Sequence, residues 1–516
     1  MEKEDNVLGL NSLRFKHAHI RLDRTILQRR SSIVEGALLL MSAYIASNML
    51  GVVRQTILNA LFGTGPEANA FYAAAQLPNT LFNLIAGGAL TYAFIPVFIS
   101  YERENGQREA WRLASLVFNV LLVVLTALVL LGEWLAPMFV NRFLVPGYSS
   151  SEQALVTTLT RIMLLQPLIL GLGTVVTAIL SSKRQFLLPA LSIAIYNFGL
   201  IGGLLCSLAI PGVGIYGPTY GVLVAAVCQV LVQVPGLRKE GLRYSFLWDL
   251  KNRGLQEVVR LLVPNALGVG ITSVGAIVST AYASYLPDRA SLGALHNAQM
   301  LFALPVSLFA QAVGQAAIPR MSQLAASARY VHLRMLLWRV IGISALLSLP
   351  SAIALYVLGK PAIYLLFQHG AFTEHSTVLT TLALLGFAVG LPGSVAGELL
   401  VRGFYSLKDA YTPLTIDILA LAARFGLILL FLKLMAGPAV ILAIPLATSA
   451  LATSQAVLLG ILLVLRLQMK VRMDKGLERL QRMRTSNLKK QAGWPIDEQE
   501  SLETGSEVEE RDPVEL

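Results

Sequence analysis

Between Gln185 and Leu237 the chain carries no charged residue, and the run is interrupted only near its middle by "PGVGIYGP". Soluble domains average about 25% charged residues, spread along the chain, so such a run needs another solvent. Leu113 to Gly132 is uncharged too. About 20 residues rising ~1.5 Å each cross the hydrocarbon core of a bilayer. In lipid every backbone N–H and C=O must be paired inside its own segment, which makes each run a helix. Composition agrees: 55% of the 516 residues are hydrophobic and 14% charged, with mean hydropathy +0.64. The formal net charge of +11 raises nucleic acid as a partner. The basic residues are not gathered on one face but dealt out in small clusters between apolar runs, so no nucleic acid is expected.

The pattern predicts an all-α polytopic membrane protein with about twelve transmembrane helices in two pseudo-symmetric six-helix lobes around a central cavity. The spans are placed at 32–63, 67–101, 111–140, 153–182, 187–209, 215–236, 255–286, 290–324, 330–358, 376–402, 411–434 and 437–466. Loops after even-numbered spans carry most of the basic residues, among them Arg238, Lys239, Arg243, Lys251 and Arg253. The opposite side carries only Arg142, Arg289, Lys360 and Lys433. Basic loops stay in the cytoplasm, so both termini are expected inside. The expected divisions are a basic arm at 1–31, an N-lobe at 32–237, an inter-lobe linker at 238–254, a C-lobe at 255–467 and a tail at 468–516. The first 30 residues are polar and basic and do not form the apolar core of a signal peptide. Residues 468–490 are basic with interspersed Met and Leu, a composition for an amphipathic helix on the anionic inner leaflet or for a solvated tail. The chain turns acidic beyond Glu498, where disorder is expected. Cys206 and Cys228 lie in apolar runs and offer neither a disulfide framework nor metal-ligand spacing.

The two halves repeat each other. "NMLGV" at Asn48 is matched by "NALGV" at Asn265, and "LPNTLF" at Leu77 by "LPVSLF" at Leu304. The basic-polar-x-x-x-Pro pattern at Arg184 returns at Lys408. Parallel repeats of this kind build transporters that bind substrate between halves and alternate access. Pro78 and Pro305 lie inside spans, followed by Gly87, Gly88 and Gly314. A helix-interior proline frees a carbonyl and bends the helix, so these five residues are expected to mark hinges or kinks.

From Gly36 to Pro66 the only charged residue is Arg54. A charge at mid-membrane costs about 2.5–3.5 kcal/mol on insertion scales and therefore faces protein, water or a ligand. Positions 50, 51, 57 and 58 are Leu, Gly, Ile and Leu, which excludes a carboxylate one turn away. Its partner is another helix, a cavity water or a substrate anion. A guanidinium suits phosphate because its planar fork makes paired charge-assisted bonds. Asn48, Gln55, Asn69, Asn79 and Asn83 in the first half, with His296, Gln299 and Gln315 in the second, are candidates to line a polar cavity. Asp417 and Arg424, seven apart on one helix face, offer either a structural pair or a coupling-ion site at Asp417. The sequence shows no phosphate-binding loop, metal cluster or nucleophile triad, so the chain is expected not to be an enzyme. Its transport would then draw on a coupling monovalent cation or the membrane potential, with no other cofactor.

At these residues the chain resembles the lipid II flippase family MurJ, also called MviN, of the multidrug/oligosaccharidyl-lipid/polysaccharide exporter superfamily. The resemblance rests on "SNMLGVVRQTILNALFGTGPEANAFYAAAQLPN", "GGALTYAFIPVF", "FALPVSLFAQAVGQAAIP", "LFQHGAFT" and "GFYSLKDAYTP". It implies two six-helix lobes in a V, a cationic cavity, and export of a polyprenyl-pyrophosphate-linked peptidoglycan precursor for the cell wall and cell shape. The chain would sit in the bacterial plasma membrane as a monomer, with a lipid-linked anionic substrate and membrane lipids as partners. The sequence departs from the family pattern at several positions. Asn48 stands where the family has Arg, Gln55 and Asn69 where it has Asp, Phe82 and Asn83 where it has basic residues, and Gly87 where it has Glu. A second-half Arg falls near Gln299 or Met300. Of the family's cavity arginines only Arg54 carries over, and the polar tail replaces two further helices. A flippase for another lipid-linked glycan, a gradient-driven drug or metabolite antiporter using Asp417, and a non-transporting membrane scaffold stay open as alternatives.

Overall fold

The computed structural model describes residues 33–85, 88–327, 329–407 and 409–491. Among them there is no strand. The first half holds α1 (Ile33–Phe62), α2 (Pro66–Ala74), α3 (Gln76–Ile85), α4 (Gly88–Phe139), α5 (Ser150–Met163), α6 (Leu165–Ser182), α7 (Leu187–Ala209), α8 (Tyr216–Leu231) and α9 (Val234–Lys239). The second holds α10 (Arg253–Ser284), α11 (Ser291–Val306), α12 (Val313–Ala326), α13 (Tyr330–Phe367), α14 (Glu374–Val389), α15 (Leu391–Ser406), α16 (Tyr411–Leu434) and α17 (Ala443–Gln491).

Every expected span is helical, but several are broken. Among the described residues eight helices are long and apolar enough to cross a membrane, or up to ten if each of two bent pairs is one span. The expected second span is divided between α2, α3 and the start of α4, pieces too short to qualify alone. Pro78 stands in the first turn of α3, where a missing N–H costs nothing, so it follows a helix break rather than kinking a continuous helix. The expected second and third spans share α4, which turns at Gly106 with φ 83°. The expected tenth span is α14 and α15, bent by 48° at Gly390. Pro305 lies inside α11, and the next turn, Ser307–Ala312, is a π-helix. Gly87 lies outside the described residues, and Gly88 opens α4.

The contacts divide the chain into two compact units that cut across the sequence halves. Unit 1 comprises Met1–Arg54, Leu81–Glu133 and Ile162–Ala266. Its core gathers Phe94, Phe98 and Trp111 of α4 against Val175, Ile179 and Leu180 of α6. Unit 2 comprises Gln55–Thr80, Trp134–Arg161 and Leu267–Leu516. Its core packs Leu333 and Leu337 of α13, Leu399 and Phe404 of α15, and Leu459 and Leu463 of α17.

In unit 2, Asp409 occupies the turn before α16. Its Oδ1 accepts from the backbone N–H groups of Tyr411 and Thr412, both at 3.1 Å, and its Oδ2 accepts from Thr412 Oγ1 at 2.7 Å and from Arg466 of α17. An acceptor at a helix start satisfies N–H groups that have no partner in the helix. Burial works against the Asp409 charge. The hydrogen bonds from Thr412, then Arg466, outweigh it and hold the carboxyl below its ordinary range. α17 continues unbroken to Gln491. The expected surface-lying tail helix is thus the extension of the last span, because nothing in 467–491 breaks the helix. The acidic end, residues 492–516, lies outside the described residues.

Candidate functional site

Unit 1 places Arg54, the one charge between Gly36 and Pro66. Arg54 is half-buried, and its Nη1 donates to Asn197 Oδ1 of α7 at 3.3 Å. Asn197 is itself buried, and its Nδ2 donates to Ser47 Oγ at 2.8 Å. That second bond fixes which end of the amide meets the guanidinium: oxygen toward Arg54, nitrogen toward Ser47. Beside it, Gln166 Nε2 donates to the Tyr196 hydroxyl at 3.0 Å. The Asn197 amide oxygen thus orients the guanidinium. Asn197 escaped the sequence reading because it sits in the long uncharged run, where no charge drew attention to it.

Unit 2 begins one residue later, and its polar chemistry is different. Gln55 and Asn59, one turn apart on α1, are 1% and 0% exposed, and so is Asn297 of α11 at 0%. Gln55 Nε2 donates to Asn297 Oδ1 at 2.8 Å and to the Tyr72 hydroxyl at 2.5 Å. Asn59 Nδ2 donates to Asn297 Oδ1 at 2.9 Å, and Asn297 Nδ2 returns a bond to Asn59 Oδ1 at 3.2 Å. The Tyr72 ring stacks on His296, with centroids 3.9 Å apart. Asn69, 2% exposed, accepts at Oδ1 from the Gly293 backbone N–H near the start of α11 at 2.7 Å, and donates to the carbonyls of Thr64 and Arg289. Thr64 and Ser376 share a 2.7 Å hydroxyl contact. At the turn after α13 the Ala371 N–H donates to the Ala60 carbonyl at 2.8 Å. Gly370 there has φ +57°, and a Cβ on it would overlap the Ala60 carbonyl oxygen. Residues 55–80 are therefore stitched onto α11 and the turn before α14 by neutral, well-satisfied groups.

Gln55 and Asn69 were expected to line a cavity. In this conformation both face protein and spend their hydrogen bonds on it. Asn48, Asn79, Asn83 and Gln299 are exposed. Asp417 and Arg424 do not pair: seven residues of helix separate them by about 10.5 Å along the axis. Asp417 Oδ1 accepts from Gln455 Nε2 of α17 at 3.1 Å, whereas Arg424 Nη1 donates to Ser279 Oγ of α10 at 3.2 Å. Gly314 lies under a close side-chain contact. A Cβ there would overlap the Arg402 guanidinium, which crosses above it to donate to the Ala310 carbonyl in the π-helical turn. Arg402 and Glu398 approach only to 3.9 Å. Of the residues now seen to matter, Asn59 was within reach of the sequence, four residues after Gln55. Asn297 lay between two residues already singled out nearby. No group of three or more His, Cys, Asp or Glu that could hold a metal occurs among the described residues.

A family model described as Lipid II flippase MurJ matches residues 58–483. The chain is 30% identical over 389 residues to the lipid II flippase MurJ of Burkholderia cenocepacia, covering 74% of this chain and 75% of that one. It is 28% identical to the probable lipid II flippase MurJ of Rhizobium tropici, over 80% of this chain and 78% of that one. Among solved structures it resembles lipid II flippase MurJ in an inward closed conformation, with TM-score 0.70, 24% identity, and coverage of 82% and 86%. An inward-facing multidrug resistance MATE family transporter has the same fold at TM-score 0.71 with 13% identity, covering 84% of this chain and 99% of that one.

Proposed function

Because the chain belongs to the lipid II flippase MurJ family, we propose that it carries a polyprenyl-pyrophosphate-linked cell-wall precursor across the bacterial inner membrane by alternating access. The observation that carries the reading is the family match across the membrane part, from residue 58 to residue 483. Arg54 supplies the chemistry: a guanidinium at mid-membrane, oriented by Asn197 and unneutralised by it, suits a pyrophosphate better than a neutral headgroup. The neutral stitching of residues 55–80 to α11 holds that part of unit 2 together. Both termini lie in the cytoplasm, as the distribution of basic residues requires. The protein works as a monomer without catalysing a covalent step, and its energy comes from a monovalent cation gradient or the membrane potential.

Complementation tests this reading. A host depleted of its own lipid II flippase is expected to grow when this chain is expressed, and to lose that growth with Arg54→Ala while the protein still reaches the membrane. Rescue by the Arg54→Ala variant would overturn the role of the guanidinium. A drug or metabolite antiporter is the second reading. It is favoured by the half-buried Asp417, held only by the neutral Gln455. Drug resistance that depends on Asp417, with no rescue of the depleted host, would support it.

A further inference from the structure

The segment between α9 and α10 is extended, without helix from Leu242 to Asp249. In an extended chain successive side chains point to opposite sides. Here the even positions are Leu242, Tyr244, Phe246, Trp248 and Leu250, exposed by 43%, 55%, 81%, 52% and 54%. The odd positions Ser245 and Leu247 are half-buried. The backbone is not loose. Ser115 and Asn119, buried and one turn apart on α4, hold it. Ser115 Oγ accepts from the Ser245 N–H at 3.2 Å, and Asn119 Nδ2 donates to the Leu247 carbonyl at 3.0 Å. Asn119 Oδ1 accepts from the Tyr244 hydroxyl at 2.7 Å, and the Tyr244 ring meets Phe118 edge-on at 6.0 Å. The strap ends at Asn252, whose Oδ1 accepts from the Leu255 N–H at 3.2 Å at the start of α10. All these groups belong to unit 1.

We propose that residues 242–250 are an interfacial anchor, seated in the headgroup layer of an anionic leaflet with Leu242, Phe246, Trp248 and Leu250 directed into lipid and Tyr244 turned back onto α4. Depth follows from α4. Its uncharged run begins at Leu113, so Ser115 and Asn119 stand within the first two turns of the apolar part. The strap bonded to them lies at the border between headgroups and hydrocarbon. Its extended backbone does not pair its own N–H and C=O groups as a helix would, which keeps it out of the hydrocarbon. Its alternate apolar side chains are unsuited to bulk water. The interface satisfies both demands, and Trp and Tyr are the residues enriched there. Arg238, Lys239, Arg243, Lys251 and Arg253 flank the row against only Glu240 and Asp249, a balance that favours anionic lipid. The leaflet is the cytoplasmic one in the orientation proposed above; the anchoring itself does not depend on the transport reading.

The test uses the full chain with Cys206 and Cys228 replaced by Ala, and a nitroxide label introduced by Phe246→Cys, Trp248→Cys or Arg243→Cys. The purified protein is reconstituted into vesicles of phosphatidylcholine alone or mixed with phosphatidylglycerol. Collision of the label with lipid-soluble oxygen and with a water-soluble nickel chelate is then compared. Positions 246 and 248 are expected to favour oxygen several-fold more than position 243, and phosphatidylglycerol is expected to widen the gap. Asn119→Leu, which releases the backbone, is expected to narrow it. Equal nickel exposure at 243 and 246 in both membranes overturns the anchor. A label at 246 that is immobilised and shielded from both probes overturns lipid as the occupant and points to a protein partner. An unchanged gap between the two vesicle types overturns the role of anionic headgroups.

Discussion

Arg54 and Gln55 are neighbours on one helix and do opposite work. Successive helical residues are rotated by about 100°, so they address different surroundings. Arg54 belongs to unit 1 and donates to the Asn197 amide oxygen. Gln55 belongs to unit 2 and is sealed among Asn59, Tyr72 and Asn297. A charged, half-buried group is poised to bind something that comes and goes. A neutral, fully satisfied cluster is built to hold, because every partner it loses leaves a buried donor unpaired. On the function proposed above, Arg54 serves the visiting headgroup, whereas Gln55 serves the protein itself.

The sharpest way to break that contrast is Asn297→Leu. It takes the acceptor from Asn59 Nδ2 and one acceptor from Gln55, which keeps Tyr72, and a buried unsatisfied donor costs about 1–3 kcal/mol. The thermal midpoint of the purified protein is expected to fall clearly. Arg54→Ala should do the reverse, leaving the midpoint nearly unchanged and weakening transport. A lost charge-assisted bond of about 1.5–3 kcal/mol corresponds to roughly tenfold to a hundredfold weaker half-saturation by a polyprenyl pyrophosphate in a vesicle assay. If Arg54→Ala melts early and Asn297→Leu transports normally at an unchanged midpoint, the division of labour is wrong. Asn197→Leu sharpens the comparison further. It frees the guanidinium from one neutral acceptor, about 1 kcal/mol. It should weaken half-saturation less than Arg54→Ala does, with Asn197→Gln restoring part of the loss.

The smallest effect is expected far from both regions, at Asp409→Asn. The folded carboxyl of Asp409 is held below its ordinary range by Thr412 and Arg466. Its stabilisation is therefore fully present above the unfolded value of about 3.9 and is lost as pH falls through the lowered folded value. Melting curves of the parent and the variant should differ near neutrality and converge on acidification. A gap that persists or grows in acid would show that the capping geometry, not the charge, is what matters there.

The spans were legible because uncharged runs bounded by basic clusters leave a chain little choice. The breaks inside them were less so. Pro78, Pro167 and Pro392 follow the breaks at Ala75, Leu164 and Gly390 within three residues, but a proline inside an apolar run can equally kink a continuous helix. Arg54 was found because it is the one charge between Gly36 and Pro66, and its partner was missed because Asn197 is neutral in a neutral run. Facing positions misled at Asp417 and Arg424. A shared helix face brings two groups to one side but not within reach, and each found a nearer partner on α17 or α10. Likewise, resemblance placed Gln55 and Asn69 at positions where the family has acids, but only packing shows that their amides stitch backbone and side chains of α11.

The last span has a mechanical consequence. α17 runs as one helix for 49 residues, about 74 Å at ~1.5 Å per residue, far more than a bilayer is thick. A rod that long, gripped along its membrane part by α13 and α15, works as a pointer. Any tilt of its gripped section is magnified at the free end, so a fluorophore at Gln491 would read the reorientation of the span from outside the lipid.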